Sequence, residues 1–357
     1  MLTVRGSRLA RWCSAALGLG LAAACLAQGG TPAPNRLRIV GGLASLNAYT
    51  RHEEPFWTRE LPALSGGKVS AEIVPFDRAG IRGQDMLRLM QLGVVPFGTA
   101  LVSVSAEQDP LVSAPDLAGL NPDMATLRKS LAAFRPFLDR MLREQFGIEL
   151  LAVYVYPAQV VFCNKAFASL ADLARRRVRV SSVTQADLVE ALGATPVSTP
   201  FAEIVPAMRN GTLDCAVTGT MSGNTIGLHE VTTHLHTMAM SWGLQLFGAN
   251  AAAWNALPAE LRALLRRELP RVEQSIWAES ERETGEGIAC NTGAASCTAG
   301  RKGHMTEVKS GAADERRRRE LVVGTVLPRW LQRCGPDCAA IWNRTVGPAV
   351  GIEAPAR

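Results

Sequence analysis

The stretch that decides the fold is residues 178–224, which read VRVSSVTQADLVEALGATPVSTPFAEIVPAMRNGTLDCAVTGTMSGN. Short β-type runs alternate here with helix-type runs, at the spacing typical of parallel strands joined by crossover helices. The β-type runs are Val178–Val180, Thr195–Ser198 and Leu213–Val217, and the helix-type runs are Gln185–Leu192 and Phe201–Arg209. We therefore predict an α/β fold built on a parallel sheet.

The same stretch contains a candidate anion site. Ligands of parallel α/β sheets bind beyond the carboxyl ends of the strands. This sequence places Arg179 there, followed by Ser181 and Ser182, together with the polar loop Thr218–Asn224. A guanidinium and the backbone N–H groups of a loop before a helix suit a carboxylate or a phosphate. No nucleophile paired with a base is visible in the stretch, so we predict binding rather than catalysis.

The first half of the chain repeats this plan. Its β-type runs are Leu37–Val40, Lys68–Val74 and Thr99–Val104, and its helix-type runs are His52–Leu61 and Gln84–Leu92. Two such sets in 357 residues predict two domains. Asn47 follows the first strand and Ser103 lies at the end of the third, so we expect both to approach a ligand from the first domain.

Two segments are predicted to connect the domains. Leu150–Phe162 is apolar and β-rich, and Pro157 breaks it, so we predict a long strand with a proline break that leaves the first domain, enters the second and is a hinge candidate. Leu244–Ala249 is predicted to cross back. The aromatic residues nearest these crossings are Tyr154, Tyr156 and Trp242. Core packing and pocket lining both remain open for the tyrosines, and we take Tyr156 and Trp242 as candidate pocket residues.

The C-terminal third is predicted to be mainly helical. A long helix covers Pro258–Ile288 with an interruption near Pro270, an irregular segment follows, and a final helix covers Asp314–Gln332. The predicted organisation is a signal peptide (1–27), a linker (28–35), domain I (36–153, with a returning segment 248–288), domain II (154–247) and a cysteine-containing extension (289–357).

The N-terminal residues are typical of an export signal. Three arginines precede the apolar run Ala15–Leu26, and Ala27 is a plausible cleavage position. We therefore predict a periplasmic protein of the Gram-negative type. Leu21–Cys25 is a weak match to a lipoprotein signal, because an alanine stands where a larger aliphatic residue is usual, so a lipid anchor at Cys25 remains the alternative.

The charge balance argues against nucleic acid as a partner. Without residues 1–27 the chain has 35 basic and 32 acidic residues, because three of its 38 basic residues lie in that segment. This is not the footprint of a nucleic-acid-binding protein. No later stretch of the sequence is long and apolar enough to span a bilayer, so we do not expect a membrane-embedded protein.

Six cysteines remain after the signal segment, and an even number in an exported chain favours disulfides. Cys290 with Cys297 and Cys334 with Cys338 could each close a small loop, although other pairings of these four remain open. Zinc binding is the competing interpretation. Cys163 and Cys215 lie in β-type runs and either pair across a sheet or stay as two buried thiols.

The only histidine cluster in the sequence is formed by His229, Glu230, His234 and His236. Its HEVTTH run is one residue longer than the zinc-protease motif, so its two imidazoles would not share a helix face. His234 and His236 share a side of a predicted strand and remain alternative metal ligands. We favour solvent-facing or capping roles and predict no metal and no cofactor.

The block SLADLARRRVRVSSVTQADLVEALGATPVSTPFAEIVPAMRNGTLDCAVTG (169–219) closely resembles the extracytoplasmic solute-binding proteins of TRAP transporters, the DctP-like family. GIRGQDMLRLMQLG (80–93) and NALPAELRALL (255–265) fit the same family, and the resemblance covers about residues 36–285. The part after Cys290 is not a usual family feature.

The resemblance implies a periplasmic binding protein fold, type II-like, with two βαβ domains around a cleft that closes on an organic acid. The carboxylate-clamping arginine of the family falls on Arg179, and Phe201 matches an aromatic position beside the pocket. The family often has a second arginine where this chain has Gln159, and an asparagine where it has Thr218. Both differences favour a monocarboxylate with an apolar or aromatic body.

The predicted function is therefore a solute receptor that delivers an organic carboxylate to the membrane permease subunits of a TRAP-type importer. Two alternatives remain at this stage. One is a secreted enzyme on the same bilobal fold. The other is a binding protein that serves a sensor kinase or a different class of transporter.

Overall fold

A computed structural model of the protein describes residues 35–355. The predicted signal peptide, Cys25 and nearly all of the predicted linker lie outside the described residues. The described chain is mixed α/β with two sheets, as the sequence predicts. We call the part built on the five-stranded sheet the first lobe and the part built on the six-stranded sheet the second lobe.

The strands follow the order that the sequence indicates, with small shifts at their ends. They are β1 (Asn35–Gly41), β2 (Val69–Pro75), β3 (Phe97–Leu101), β4 (Ile148–Val155), β5 (Gln159–Cys163), β6 (Arg177–Val180), β7 (Thr195–Ser198), β8 (Cys215–Gly219), β9 (His234–Ser241), β10 (Leu244–Asn250) and β11 (Thr306–Val308).

The first-lobe sheet has the order β2-β1-β3-β10-β4, with β1 parallel to β2 and β3 and with β10 antiparallel to β3 and β4. The second-lobe sheet has the order β11-β9-β5-β8-β6-β7, with β6 parallel to β7 and β8. Strand β5 runs antiparallel to β8 and β9. Each lobe thus has a core of three parallel strands whose carboxyl ends lie at one edge.

The helices cover these sheets and bury their apolar faces. Between residues 35 and 258 the α-helices are α1 (Leu61–Leu64), α2 (Met86–Gln91), α3 (Val102–Ser105), α4 (Met124–Phe146), α5 (Val183–Ala191), α6 (Ile204–Arg209), α7 (Thr220–Thr225) and α8 (Ala251–Asn255). The remaining α-helices are α9 (Ala259–Thr292), α10 (Ala312–Leu321), α11 (Leu327–Cys334), α12 (Cys338–Arg344) and α13 (Val346–Val350). The 3₁₀ or π turns are Ala48–Glu53, Phe56–Glu60, Gly83–Asp85, Pro110–Asp116, Leu170–Leu173, Phe201–Glu203, Leu228–Glu230 and Val322–Val326.

Two short connections link the sheets. Strand β4 of the first lobe ends at Val155 and β5 of the second begins at Gln159, so the break falls around Pro157 as predicted. The return is made between β9 and β10, through Trp242 and Gly243. Because β10 already starts at Leu244, the chain re-enters the first lobe earlier than residue 248, the start that the sequence predicts.

Two of the predicted strand and loop assignments are wrong. The third strand ends at Leu101, and Val102–Ser105 forms a helical turn, so Ser103 lies on a helix. The polar segment Thr218–Asn224 is not a loop. Thr218 and Gly219 are the last two residues of β8, and Thr220–Thr225 is helical. In both places the chain turns from a strand directly into a helix, and this tertiary arrangement overrides the local propensity of short β-branched runs.

The C-terminal helices also differ from the prediction. Helix α9 runs through Pro270 without interruption, because a proline removes only one backbone donor and the apolar side chains around it stay buried. The predicted helix Asp314–Gln332 is divided by a π turn at Val322–Val326, and two further helices follow.

The six cysteines pair in three disulfides, Cys163–Cys215, Cys290–Cys297 and Cys334–Cys338. The expectation of disulfides is confirmed. Cys163 and Cys215 face each other across the β5–β8 ladder, so this bond joins neighbouring strands of one sheet. The other two close loops in the C-terminal third.

Helix α9 spans both lobes. On the first lobe, Trp277 donates from Nε1 to the Val153 carbonyl (2.8 Å). On the second lobe, Asn291 donates from Nδ2 to the Thr220 carbonyl (2.9 Å). Helix α7 approaches so closely at Gly287 that an added Cβ would lie 2.3 Å from the backbone nitrogen of Met221.

Helix α11 makes a further bridge between the lobes. Trp330 donates from Nε1 to the carbonyl of Pro110 in the first lobe (2.8 Å). Arg333 and Arg329 pair with the buried carboxylate of Asp187, which lies on α5 of the second lobe. The C-terminal segment therefore holds the two lobes together.

We expect Gly287→Ala to destabilise the protein by about 1–3 kcal/mol, because its methyl group would collide with the backbone of α7. Gly285→Ala on the same helix is the matched control. Its Cβ would meet nothing within 4 Å, so it should stabilise the protein by about 0.5–1 kcal/mol. Urea unfolding measures both effects, and equal effects of the two substitutions would contradict this packing.

The turn between β9 and β10 is held by Asp116. Its fully buried carboxylate accepts hydrogen bonds from the backbone N–H groups of Trp242 (3.1 Å) and Gly243 (2.9 Å). Burial raises the pKa of Asp116 to about 7, and the N–H donors offset only part of this effect. The connection through which the chain returns to the first lobe thus depends on a titratable group.

The free energy of unfolding should depend on pH through the titration of Asp116. Its pKa is higher in the folded state than in the unfolded chain, so its contribution to stability is complete below about pH 4 and is lost as pH rises towards about 7. Asp116→Asn removes this contribution. The unfolding free energy of the variant, relative to the parent protein, should therefore rise between about pH 4 and about pH 7, and parallel pH profiles would exclude the titration.

Candidate functional site

A cavity of about 450 Å³ lies between the two lobes. Residues at or just after the carboxyl end of each of the six parallel strands line this cavity, as expected for this class of sheet. They include Leu43 and Leu46 after β1, Phe76 and Asp77 after β2, Ser103 after β3, Ser181 after β6, Thr199 after β7, and Thr218 and Gly219 at the end of β8.

Arg179 lies in the second-lobe wall of this cavity. It is only 4 % exposed, and two backbone carbonyls of the neighbouring strands hold its guanidinium. Nε donates to the carbonyl of Thr199 (2.9 Å), and Nη1 donates to that of Val217 (2.7 Å). Within residues 35–355, Nη2 has no hydrogen-bond acceptor. The side chain is thus fixed in one orientation and keeps a donor for a ligand.

No carboxylate among residues 35–355 compensates the charge of Arg179. Burial lowers the pKa of Arg179 to about 10, and the loss of water is the one cause of this shift. The guanidinium stays protonated at neutral pH, because its pKa remains well above 7. A buried cation held only by carbonyl dipoles favours an anion as its partner.

The other second-lobe residues of the site surround this cation. Gln159 begins β5 and pairs with Gly219 in the sheet, and Thr218 pairs with Val160. Phe201 begins the turn that precedes α6. Gln159, Thr218 and Phe201 all line the cavity with Arg179, and they bring polar and apolar groups to one edge of the sheet.

The first lobe contributes Ser103 and Tyr156 of the predicted residues. Ser103 lies on α3 at the cavity wall. The Tyr156 hydroxyl accepts a hydrogen bond from the backbone N–H of Leu43 (3.4 Å), and burial raises the pKa of this phenol. Tyr156 therefore acts in the cavity as a neutral, largely apolar wall.

Two predicted site residues, Asn47 and Trp242, do not line this cavity. Asn47 donates from its amide to Glu283 on α9, so it ties the first lobe to that helix. Trp242 is buried away from the residues that line the cavity, and its Nε1 donates to the Asn121 carbonyl (3.0 Å). Tyr154 also lies in the core, stacked on Phe247 with ring centroids 5.9 Å apart.

Sequence reasoning missed several residues of the first-lobe wall, namely Phe76, Asp77, Ile81 and Arg82. Phe76 and Asp77 directly follow β2, so the rule that selected Ser181 would also have selected them. Ile81 and Arg82 reach the cavity through the turn after β2, and no local pattern in the sequence marks that turn.

The histidine cluster lies apart from the cavity. His234 and His236 are on β9, and both pack against Phe167 with ring centroids 6.3 and 6.1 Å away. Among residues 35–355, no group of three or more histidine, cysteine, aspartate or glutamate side chains is arranged to hold a metal ion. In the same part of the chain, no helix has the length and hydrophobicity required to cross a membrane.

Residues 49–290 match the sequence family described as bacterial extracellular solute-binding protein, family 7. Among curated proteins, the ectoine-binding periplasmic protein TeaA of Halomonas elongata is 25 % identical over 126 residues. That match spans 35 % of this chain and 37 % of the length of TeaA.

Solved structures share the fold over most of the chain. DctP7 of Bordetella pertussis, an extracytoplasmic solute receptor binding pyroglutamic acid, has a TM-score of 0.76 at 20 % identity and covers 87 % of this chain and 99 % of its own. A TRAP periplasmic solute-binding protein from Rhodoferax ferrireducens with bound malonate has a TM-score of 0.76 at 18 % identity, covering 88 % and 98 %.

The shared fold extends into the C-terminal third. Residues 1–290 are about 81 % of the 357 residues, whereas the alignment with DctP7 covers 87 %. Some of the chain after Cys290 is therefore part of the common fold. The expectation that this part is foreign to the family is wrong to that extent.

Trp57 and Trp242, two of the buried tryptophans, offer a check on the placement of Trp242. Trp242→Phe and Trp57→Phe remove the same volume from buried sites, but only Trp242 donates a hydrogen bond, whereas Nε1 of Trp57 has no partner within the described residues. Trp242→Phe should therefore cost about 1–2 kcal/mol more in urea unfolding than Trp57→Phe. Equal costs would show that the Asn121 contact contributes nothing.

Proposed function

The chain belongs to family 7 of the bacterial extracellular solute-binding proteins, and from this membership we propose that it is an extracytoplasmic receptor for an organic carboxylate. The ligand binds between the two lobes, and the liganded form is handed to the permease subunits of a TRAP-type importer. The periplasm is the compartment in which this receptor works.

The observation that carries the proposal is the uncompensated guanidinium of Arg179 in the inter-lobe cavity. Two carbonyls fix the side chain and leave Nη2 as a donor. A carboxylate of the ligand supplies the missing negative charge and accepts charge-assisted hydrogen bonds from this arginine. Thr218 and Gln159 stand beside it as further polar contacts.

The cavity favours an acid with one carboxylate. A second carboxylate, as in malonate or succinate, would extend towards the first-lobe wall, where Asp77 and Glu107 are exposed at the cavity. Arg82 also lines that wall, but its guanidinium is engaged with Asp85 (2.8 Å). The apolar surface of Phe76, Tyr156 and Phe201 suits a ring or an apolar body on the ligand.

The ligands named for the relatives support a carboxylate as the ligand of this chain. Pyroglutamic acid, malonate and ectoine are the ligands named for three of them. All three carry a carboxylate, and two of the three are rings with one carboxylate. The family members are binding receptors, and we propose that this chain likewise binds and releases its ligand unchanged.

A thermal-shift panel tests the proposal, with native mass spectrometry of the purified protein to detect retained ligand. Pyroglutamate, orotate, ectoine, malonate and succinate are the probes. We expect at least one cyclic monocarboxylate to raise the melting temperature more than succinate does. Equal or stronger stabilisation by succinate would contradict the monocarboxylate assignment.

Arg179→Ala should weaken binding of the best probe by about 100-fold or more, because the ligand carboxylate would be left buried without its cation. Arg177→Ala is the matched control. Arg177 lies on the same strand, but it is exposed and pairs with Asp214 (2.9 Å), so its removal should leave the affinity unchanged. Unchanged affinity in Arg179→Ala would remove the main support for this site.

A further inference from the structure

A chain of four hydrogen-bonding groups, centred on the buried amide of Gln185, runs from the second-lobe sheet to the cavity. The backbone N–H of Ser181 donates to Oε1 of Gln185 (2.8 Å). Nε2 of Gln185 donates to Oε1 of Gln159 and to Oγ of Ser241, both at 2.7 Å. Gln185 is 1 % exposed, so no bulk water competes for these contacts.

The direction of this chain is fixed by its first member. A backbone N–H can only donate, so the amide atom of Gln185 that faces Ser181 must be the oxygen. Its nitrogen then faces Gln159 and can only donate. Gln159 must therefore present its oxygen to Gln185 and turn its own amide nitrogen, Nε2, away.

Nε2 of Gln159 lies at the cavity. Gln159 and Gly243 both line it, and a Cβ on Gly243 would come within 2.5 Å of this nitrogen. Gly243 has a φ of +78°, so glycine suits both the turn and the space that the amide occupies. Among residues 35–355, no group accepts a hydrogen bond from Nε2.

Helix α5 explains why Gln185 is held so firmly. Ser182 caps this helix and accepts from the backbone N–H of Gln185 through Oγ (3.1 Å). The side chain of Gln185 reaches back to the N–H of Ser181, which is a variant of the capping box S-x-x-Q. The cap fixes the backbone of Gln185, and the buried contacts fix its amide.

We propose that Gln185 is a positioning residue that sets the hydrogen-bonding polarity of the ligand cavity at Gln159. With Gln185 in place, Gln159 offers an N–H donor and selects ligands that carry an acceptor at that point. A free glutamine amide can turn by about 180° and offer either a donor or an acceptor. This inference rests on the proposed function of the cavity as a carboxylate site.

Gln185→Glu reverses the polarity with little change of shape. The carboxylate that it introduces still accepts from the N–H of Ser181, but it has no donor for Gln159. The amide of Gln159 then turns its nitrogen to this carboxylate and its oxygen to the cavity. Ser241 can follow, because its hydroxyl both donates and accepts.

The probes are furan-2-carboxylate and pyrrole-2-carboxylate, two flat monoanions of the same shape. The ring atom next to the carboxylate is an acceptor oxygen in the first and an N–H donor in the second. Gln185→Glu introduces a charge that repels the ligand carboxylate. Because both probes carry the same charge, this repulsion weakens both equally and leaves the ratio of their affinities unchanged. We expect the parent protein to prefer furan-2-carboxylate and Gln185→Glu to prefer pyrrole-2-carboxylate, with the ratio changing about tenfold or more.

Gln185→Met is the matched control. It keeps the length of the side chain without hydrogen bonding. The hydroxyl of Ser181, 3.4 Å from Oε1 of Gln159, both donates and accepts and so does not fix the orientation of that amide. The ratio should therefore move towards one. Circular dichroism and melting curves establish that each variant is folded. The same ratio in all three proteins, or no preference in the parent, would overturn the inference.

The two proposals fail in distinguishable ways. If no carboxylate binds to the parent protein, the proposed function fails. If carboxylates bind and require Arg179, but the furan-to-pyrrole ratio does not respond to Gln185, the function stands and only the role of Gln185 is refuted.

Discussion

The candidate site depends on the placement of the buried guanidinium of Arg179, which has no carboxylate partner among residues 35–355. Burying a cation without an anion costs several kcal/mol, and the two carbonyl contacts recover only part of this. Any state without a bound anion carries that cost. Under the proposed function, binding of a carboxylate removes this cost, and the same side chain would then provide both affinity and the preference for acids over neutral solutes.

Because the buried charge of Arg179 is unfavourable, contacts elsewhere in the fold must keep this side chain in place in the cavity. Helix α9 packs on both lobes and leaves no space for a side chain at Gly287. Helix α11 joins Pro110 of the first lobe to Asp187 of the second, and the disulfide Cys163–Cys215 ties the two strands beside the site. The guanidinium of Arg179, whose burial is unfavourable, thus lies between elements that contacts outside the cavity hold in place.

The sequence predicts the parts of this arrangement that follow from local order. Alternating elements place Arg179 and Thr218 at carboxyl ends of parallel strands, and both line the cavity. The sequence could not predict the side of a turn to which a residue points, which is why Trp242 was misassigned. Asn47 failed for a related reason, since its partner Glu283 is more than 200 residues away in the chain. The capping box around Gln185 is visible in the sequence, but its contact with Gln159 exists only after β5 and α5 have packed.

Some residues belong both to the connections between the lobes and to the wall of the ligand cavity. This overlap constrains how the lobes can close. Gln159 is the first residue after one crossing and pairs in the sheet with Ser241, the last residue before the other. Gly243 and Leu244, which complete that second crossing, line the same cavity. A ligand bound at Gln159 therefore touches the β9–β10 connection, about which the lobes turn. Asp116 fixes this connection by accepting a hydrogen bond from the backbone N–H of Gly243. Under the proposed function the lobes close on the ligand. Since α11 already joins them at Pro110 and Asp187, we expect this closure to be a rotation that keeps these two points together. Ligand contact at the crossings would favour that rotation over a separation of the lobes.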